Sequence, residues 1–138
     1  MPKIGVRLLA SFESAAEFLA DAQSLEAAGA GLLLLDEGGD LDREMLLAAI
    51  AAVTTGVSLH HAEAGETLRR LAGDRLLTEL DGWRDVPFPV DRAAWRATLV
   101  KEASSAGVIV AMDPRLLDLL RNPDVEDDRS TDRELAQG

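Results

Sequence analysis

Short apolar runs recur along this chain, and segments with helical periodicity separate most of them. The most constraining run is Leu32–Leu35, four consecutive leucines, which is typical of a strand covered on both faces. Other runs begin at Ile4, Val57, Arg75 and Val108, so the predicted strands start at intervals of about 18 to 33 residues. This is the length of a strand-helix unit. Its repetition predicts an α/β fold with a mainly parallel sheet of about five units.

The predicted helices have recognisable first and last residues. Ser14 and Glu17 form a capping-box pattern, and the apolar stripe of that helix ends at Gly29, where a left-handed cap costs little. Asp40 is expected to cap a second helix that continues through Val53. The remaining predicted helices are a short one at Thr67–Leu71, one capped by Asp91, and a last one that begins at Asp113 and Pro114.

The chain is predicted to form one domain followed by a charged tail. Residues 1–123 contain all five predicted strands, which are Ile4–Leu9, Leu32–Leu35, Val57–His60, Arg75–Leu80 and Val108–Met112. Residues 124–138 are rich in acidic and polar side chains and contain almost nothing to bury. We interpret them as a mobile acidic tail or an exchanged arm.

Composition excludes several classes of function. The net charge of -11 opposes binding to nucleic acid and to anionic membrane surfaces, because both depend on clustered Lys and Arg. The absence of cysteine excludes disulfides and thiolate metal sites. No apolar run approaches the roughly 18 to 20 residues of a membrane span. Since the first residues match neither a secretory leader nor a transit peptide, a cytoplasmic location is expected.

Three segments carry a resemblance to a known family. Lys3–Glu37, Ala48–Leu59 and Leu71–Trp83 occur in the order and spacing of the first units of bacterial-luciferase-like flavin- or deazaflavin-dependent oxidoreductases, which the chain resembles over roughly residues 3–83. The resemblance implies a partial TIM barrel and an oxidoreductase or monooxygenase that acts on a small organic substrate. It also implies FMN or a deazaflavin as cofactor.

The chain departs from the family's pattern at two strand ends and in its length. Glu37 follows Asp36, whereas the family often has His at that position, and His60 and His61 stand where the family is usually small and polar. The family's grip on the cofactor phosphate lies in later units of an eight-stranded barrel. About five strands are too few for the whole barrel.

Candidate site residues follow from the rule that ligands of parallel α/β folds bind at the carboxyl ends of strands. Asp36, Glu37 and His60 are the catalytic candidates, since neighbouring carboxylates raise one another's pKa and histidine exchanges protons near neutral pH. The same rule gives the cofactor-binding candidates, with Trp83 as a stacking wall. They are Asp81, Trp83, His61 and Asp113. The alternative is that Asp36 and Asp113 merely cap helices and bind loop amides.

No metal site is predicted. Adjacent residues of a strand point to opposite faces, so at most one of His60 and His61 is expected to enter a given pocket. A metal would then need Asp36 or Asp81 as a further ligand.

Two functions remain open at this point. The first is a reduced luciferase-like oxidoreductase, and the second is a non-catalytic ligand-binding or assembly module that kept the fold. Five strands leave two edges and one sheet face uncovered, and closed symmetric dimers are the commonest remedy. We therefore predict a homodimer with any small-molecule crevice near its interface.

Overall fold

The computed structural model describes residues 2–122, which form six strands and five α-helices. The strands are β1 (Lys3–Leu9), β2 (Leu32–Asp36), β3 (Ser58–His60), β4 (Leu76–Leu77), β5 (Trp83–Asp85) and β6 (Gly107–Ala111). The helices are α1 (Ala15–Ala27), α2 (Arg43–Val53), α3 (Glu66–Ala72), α4 (Arg92–Lys101) and α5 (Leu116–Arg121). The predicted acidic tail, residues 124–138, lies outside the described residues.

All six strands belong to one parallel sheet in the order β4-β3-β2-β1-β6-β5. The sheet is curled into a half-barrel. The predicted α/β class and parallel sheet are confirmed, but the predicted number of five strands is wrong. The additional strand is β5, which has only three residues and so offers no apolar run from which to predict it.

Local capping explains where most helices begin. Ser14 accepts a hydrogen bond from the backbone N–H of Glu17, and Asp91 accepts one from Ala94, so both predicted caps are confirmed. The predicted cap at Asp40 is wrong, because the carboxylate of Asp42 accepts from Met45 instead. The last helix also begins later than predicted, at Leu116.

The two faces of the sheet are covered differently. The face turned toward the helices carries the main core, where Val6, Leu33 and Val108 are fully buried beneath side chains such as Trp95 of α4. The opposite, concave face carries a small cluster made of Leu32, Leu34 and Ile109. We call this the concave cluster. Burial of both faces explains why β2 is apolar at four successive positions.

A short segment crosses the concave face. Strands β4 and β5 lie at opposite edges of a parallel sheet, so residues 78–82, the crossing segment, must run from the carboxyl end of one to the amino end of the other. Leu80 of this segment packs against the concave cluster, as do Leu77 before it and Trp83 after it. The chain therefore covers part of its own open face.

A carboxylate fixes the approach to β3. Glu26 of α1 accepts hydrogen bonds from the backbone N–H groups of Thr55, Gly56 and Val57, at 2.7 to 3.0 Å for the shortest contact to each. Burial raises the pKa of Glu26, but these hydrogen bonds and the charge of Arg75 outweigh it and leave the pKa below its ordinary value. The ionised carboxylate thus holds the chain immediately before the strand that ends at His60.

Candidate functional site

A cleft of about 440 Å³ opens on the concave side of β1, β2 and β3, and the loops that follow β2 and β3 border it. A volume of this size is within the range of small-molecule sites. Residues from β1, β2, β3, α2 and the crossing segment contribute to its walls. They include Arg7, Leu34, Asp36, Glu37, Arg43, His60, His61, Glu63 and Leu80.

Three neighbouring strands each contribute one side chain to the floor of the cleft. Arg7 of β1 is directly opposite Leu34 of β2. The pairs Leu32 with Ser58 and Leu33 with Leu59 place His60 opposite Leu34 on the other side. The floor is therefore one row of guanidinium, leucine and imidazole groups, with neighbouring strands roughly 4.8 Å apart. Leu80 of the crossing segment adds an apolar wall.

Both histidines line the cleft, so the prediction that at most one enters it is wrong. The alternation of side chains applies only within a strand, and β3 ends at His60. His61 lies in the following loop, where its Nδ1 accepts a hydrogen bond from the backbone N–H of Glu63 at 3.2 Å. The turn redirects the second imidazole to the same side as the first.

His60 is neutral near pH 7. Burial lowers its pKa first, and the nearby charges of His61, Arg7 and Arg43 lower it further. A hydrogen bond to the backbone of Thr78 in the crossing segment acts in the opposite direction without reversing the shift. A neutral imidazole in a small-molecule cleft is able to accept or pass on a proton.

The loop after β2 presents the two predicted carboxylates. Asp36 accepts a hydrogen bond from the backbone N–H of Gly38 at 3.0 Å, and Glu37 lies 3.8 Å from the guanidinium of Arg43. Both acids are exposed. They line the same cleft as His60, so the three predicted catalytic residues are brought together.

The remaining cofactor-binding candidates lie elsewhere. Trp83 was expected after the end of a strand, but it is the first residue of β5 and pairs with Gly107 at the amino end of the sheet. Asp81 is in the turn just before it. Asp113 bonds to Arg115 at 3.0 Å, and this bond lowers the pKa of Asp113. None of the three lines the cleft, so the structure does not bring them to His60.

Sequence reasoning missed most of the other residues of the cleft, among them Arg7, Arg43, Glu63 and Leu80. A signal existed for Arg7, because it is the one charged residue inside the apolar stretch Ile4–Leu9, and a charge there indicates a polar cavity on one face of the strand. No such signal existed for Leu80, which was assigned to a strand.

Residues 2–122 contain neither a metal-binding cluster nor a membrane-spanning helix. No group of three or more His, Asp or Glu side chains is arranged to hold a metal ion. No helix in this part of the chain has the length and apolar character needed to cross a membrane. Comparison with protein-family models, with curated proteins and with solved structures produced no match.

Proposed function

We propose that this chain is a reduced luciferase-like oxidoreductase whose cleft takes the ring of a flavin or deazaflavin. The observation that carries the proposal is the gathering of Asp36, Glu37 and His60 with Arg7 in one cleft of about 440 Å³ on the concave side of a parallel sheet. Ligands of such sheets bind at the carboxyl ends of the strands.

The strand order supports the same proposal. In a closed eight-stranded barrel the first strand lies between the second and the last. Here β1 lies between β2 and the last strand, β6. The sheet therefore has the arrangement of a barrel's first four and last two strands, with the crossing segment in place of the units between them. This arrangement supports the part of the resemblance that spans Lys3–Glu37 and Ala48–Leu59.

The side chains of the cleft suit a planar ring with polar edges. Leu34 and Leu80 offer apolar contact, and Arg7 offers hydrogen-bond donors. Neutral His60, whose N–H bonds to the backbone of Thr78, offers an acceptor nitrogen. A bound flavin or deazaflavin would supply the redox chemistry, and the protein would supply orientation and electrostatics. In this arrangement Arg7 and His60 would hold polar ring atoms, and neutral His60 would exchange a proton with the substrate.

Absorption spectra test the cofactor directly. Titration with FMN and with a deazaflavin should shift the cofactor's visible band and raise the protein's melting temperature, because a ligand that binds only the folded state stabilises it. Leu80→Ala should weaken binding by about fivefold, the loss of roughly 1 kcal/mol of apolar contact. Val90→Ala, at a side chain that is 82% exposed, is the matched control. Unchanged spectra and melting temperatures with every cofactor would reject the proposal.

A second function is favoured by one specific observation. Residues 78–82 join β4 to β5 directly across the concave face, and the family's phosphate grip is expected in the units that would otherwise stand between those strands. A non-catalytic ligand-binding or assembly module is therefore the alternative. This alternative predicts that the purified protein is colourless and that its cleft binds small molecules without any preference for flavins.

A further inference from the structure

The charged groups of the cleft are sorted by depth. Arg7, Arg43 and His60 are half-buried, whereas the carboxylates Asp36, Glu37 and Glu63 are exposed. The two guanidinium groups therefore lie closer to the floor, with neutral His60, and the carboxylates lie at the rim. This separation occurs in a protein whose net charge is -11.

The floor has an electrostatic character of its own. After burial and His61, the guanidinium groups of Arg7 and Arg43 lower the pKa of His60, so two permanent positive charges act on the floor. The exposed acids at the rim are screened by water, so they offset this potential only in part. A small anion that enters the cleft would meet a positive floor.

Arg7 already binds one carboxylate. Its Nη2 is 2.6 Å from Oδ1 of Asp85, a residue of β5 that does not line the cleft. The Arg7 side chain is 30% exposed and that of Asp85 is 70% exposed. Ion pairs exposed to this degree contribute little to stability, so Asp85 is a weak competitor for the guanidinium. Arg7 also keeps donors beyond the one that Asp85 uses.

We propose that the cleft binds a small planar carboxylic acid whose carboxylate is held by Arg7, with Asp85 as the internal competitor that the ligand displaces. Leu34 beneath and Leu80 beside the ligand would contact its apolar body. A carboxylate matches the fork of a guanidinium, and Arg7 already binds the Asp85 carboxylate through one contact. The inference rests on the cleft of the proposed function and names a ligand class that would occupy the place of the flavin ring, against the same Arg7, Leu34 and Leu80.

Benzoate and benzamide are the matched probes, because they share shape and differ in charge. Titration of 15N-labelled protein should give a Kd for benzoate on the order of 1 mM, since a probe this small gains only about 4 kcal/mol. Benzamide should bind at least about tenfold more weakly, and Arg7→Gln should remove that difference. Backbone shifts at Leu34 and His60 identify the cleft as the site.

Asp85→Asn is the decisive variant, because it should bind benzoate more tightly, and a damaged fold cannot produce that result. Removing the competing charge should tighten benzoate binding by about threefold. Arg70→Gln, which breaks an exposed pair with Glu66 outside the cleft lining, should leave the Kd unchanged. Equal affinity for benzoate and benzamide, or no tightening in Asp85→Asn, would overturn the inference.

The result also separates this inference from the proposed function. Preference for benzoate without binding of any flavin would reject the proposed cofactor and support the carboxylate site. Flavin binding without benzoate preference would do the reverse.

Discussion

His60 links the cleft to folding through its lowered pKa. Burial and the charges of His61, Arg7 and Arg43 disfavour its protonated form in the folded protein, whereas the unfolded chain takes up a proton at about pH 6.5. The stabilising contribution is fully present above that value and is lost as pH falls through the window below it toward the folded pKa.

Urea unfolding at about pH 7.5 and about pH 5.5 measures this effect. The free energy of unfolding of the wild type should be lower at the acidic pH than at the higher pH. The same difference should be smaller for His60→Gln. His61, the other histidine of the chain, is present in both proteins, so the difference reports His60. Identical pH dependence in the two proteins would contradict the assignment.

Sequence rules placed some residues of the cleft correctly and others not. Asp36, Glu37 and His60 lie where parallel strands end. Their positions could be predicted, because the end of each strand is marked in the sequence by the end of an apolar run. The position of Trp83 could not be found in this way, because it depends on the turn at Gly82, whose φ is +83°. That turn begins a new strand after the chain has crossed the sheet.

At the scale of elements, the loop between β2 and α2 is held against the end of β1. The backbone N–H of Leu41 donates to the carbonyl of Ala10 at 2.9 Å. A Cβ atom added at Gly39 would lie 2.5 Å from the same carbonyl oxygen. Only glycine permits this approach, which positions the loop carrying Asp36 and Glu37.

Gly39→Ala should therefore destabilise the protein by about 1 to 3 kcal/mol, the usual cost of inserting a methyl group into a packed contact. Gly38→Ala is the matched control, because its added Cβ would have its nearest neighbour at 3.6 Å. The control should change stability by less than about 0.5 kcal/mol. Denaturant midpoints measure both changes. Equal midpoints would show that the loop shifts to accommodate the added methyl group at position 39.

The elements themselves were predictable to different degrees. Strands β1, β2, β3 and β6 each have an apolar run that a periodicity rule detects, and each agrees closely with prediction. The predicted strand Arg75–Leu80 contracts to the two residues of β4. Arg75 ends a short 3-10 helix before β4, and residues 78–80 cross the concave face, where Leu80 is partly buried without strand pairing. A buried apolar residue of this kind resembles a strand residue in the sequence.

At the scale of the whole molecule, the homodimer expected from the sequence stays a prediction. Strands β4 and β5 form the two edges of the sheet described within residues 2–122, and unpaired edges favour association. Light scattering on a size-exclusion peak at micromolar concentration should give about twice the chain mass of 14.8 kDa. A mass of 14.8 kDa would show that the crossing segment covers the open face sufficiently.

The central claim is that a flavin-type ring binds in the cleft on the concave face. Titration of 15N-labelled protein with lumiflavin, which has the ring without the phosphate, tests it most directly. The largest backbone shifts should fall at Leu34, Asp36, His60, His61 and Leu80. Shifts centred on the groove of about 190 Å³ lined by Phe88, Val90 and Arg115, or no shifts at all, would contradict the account.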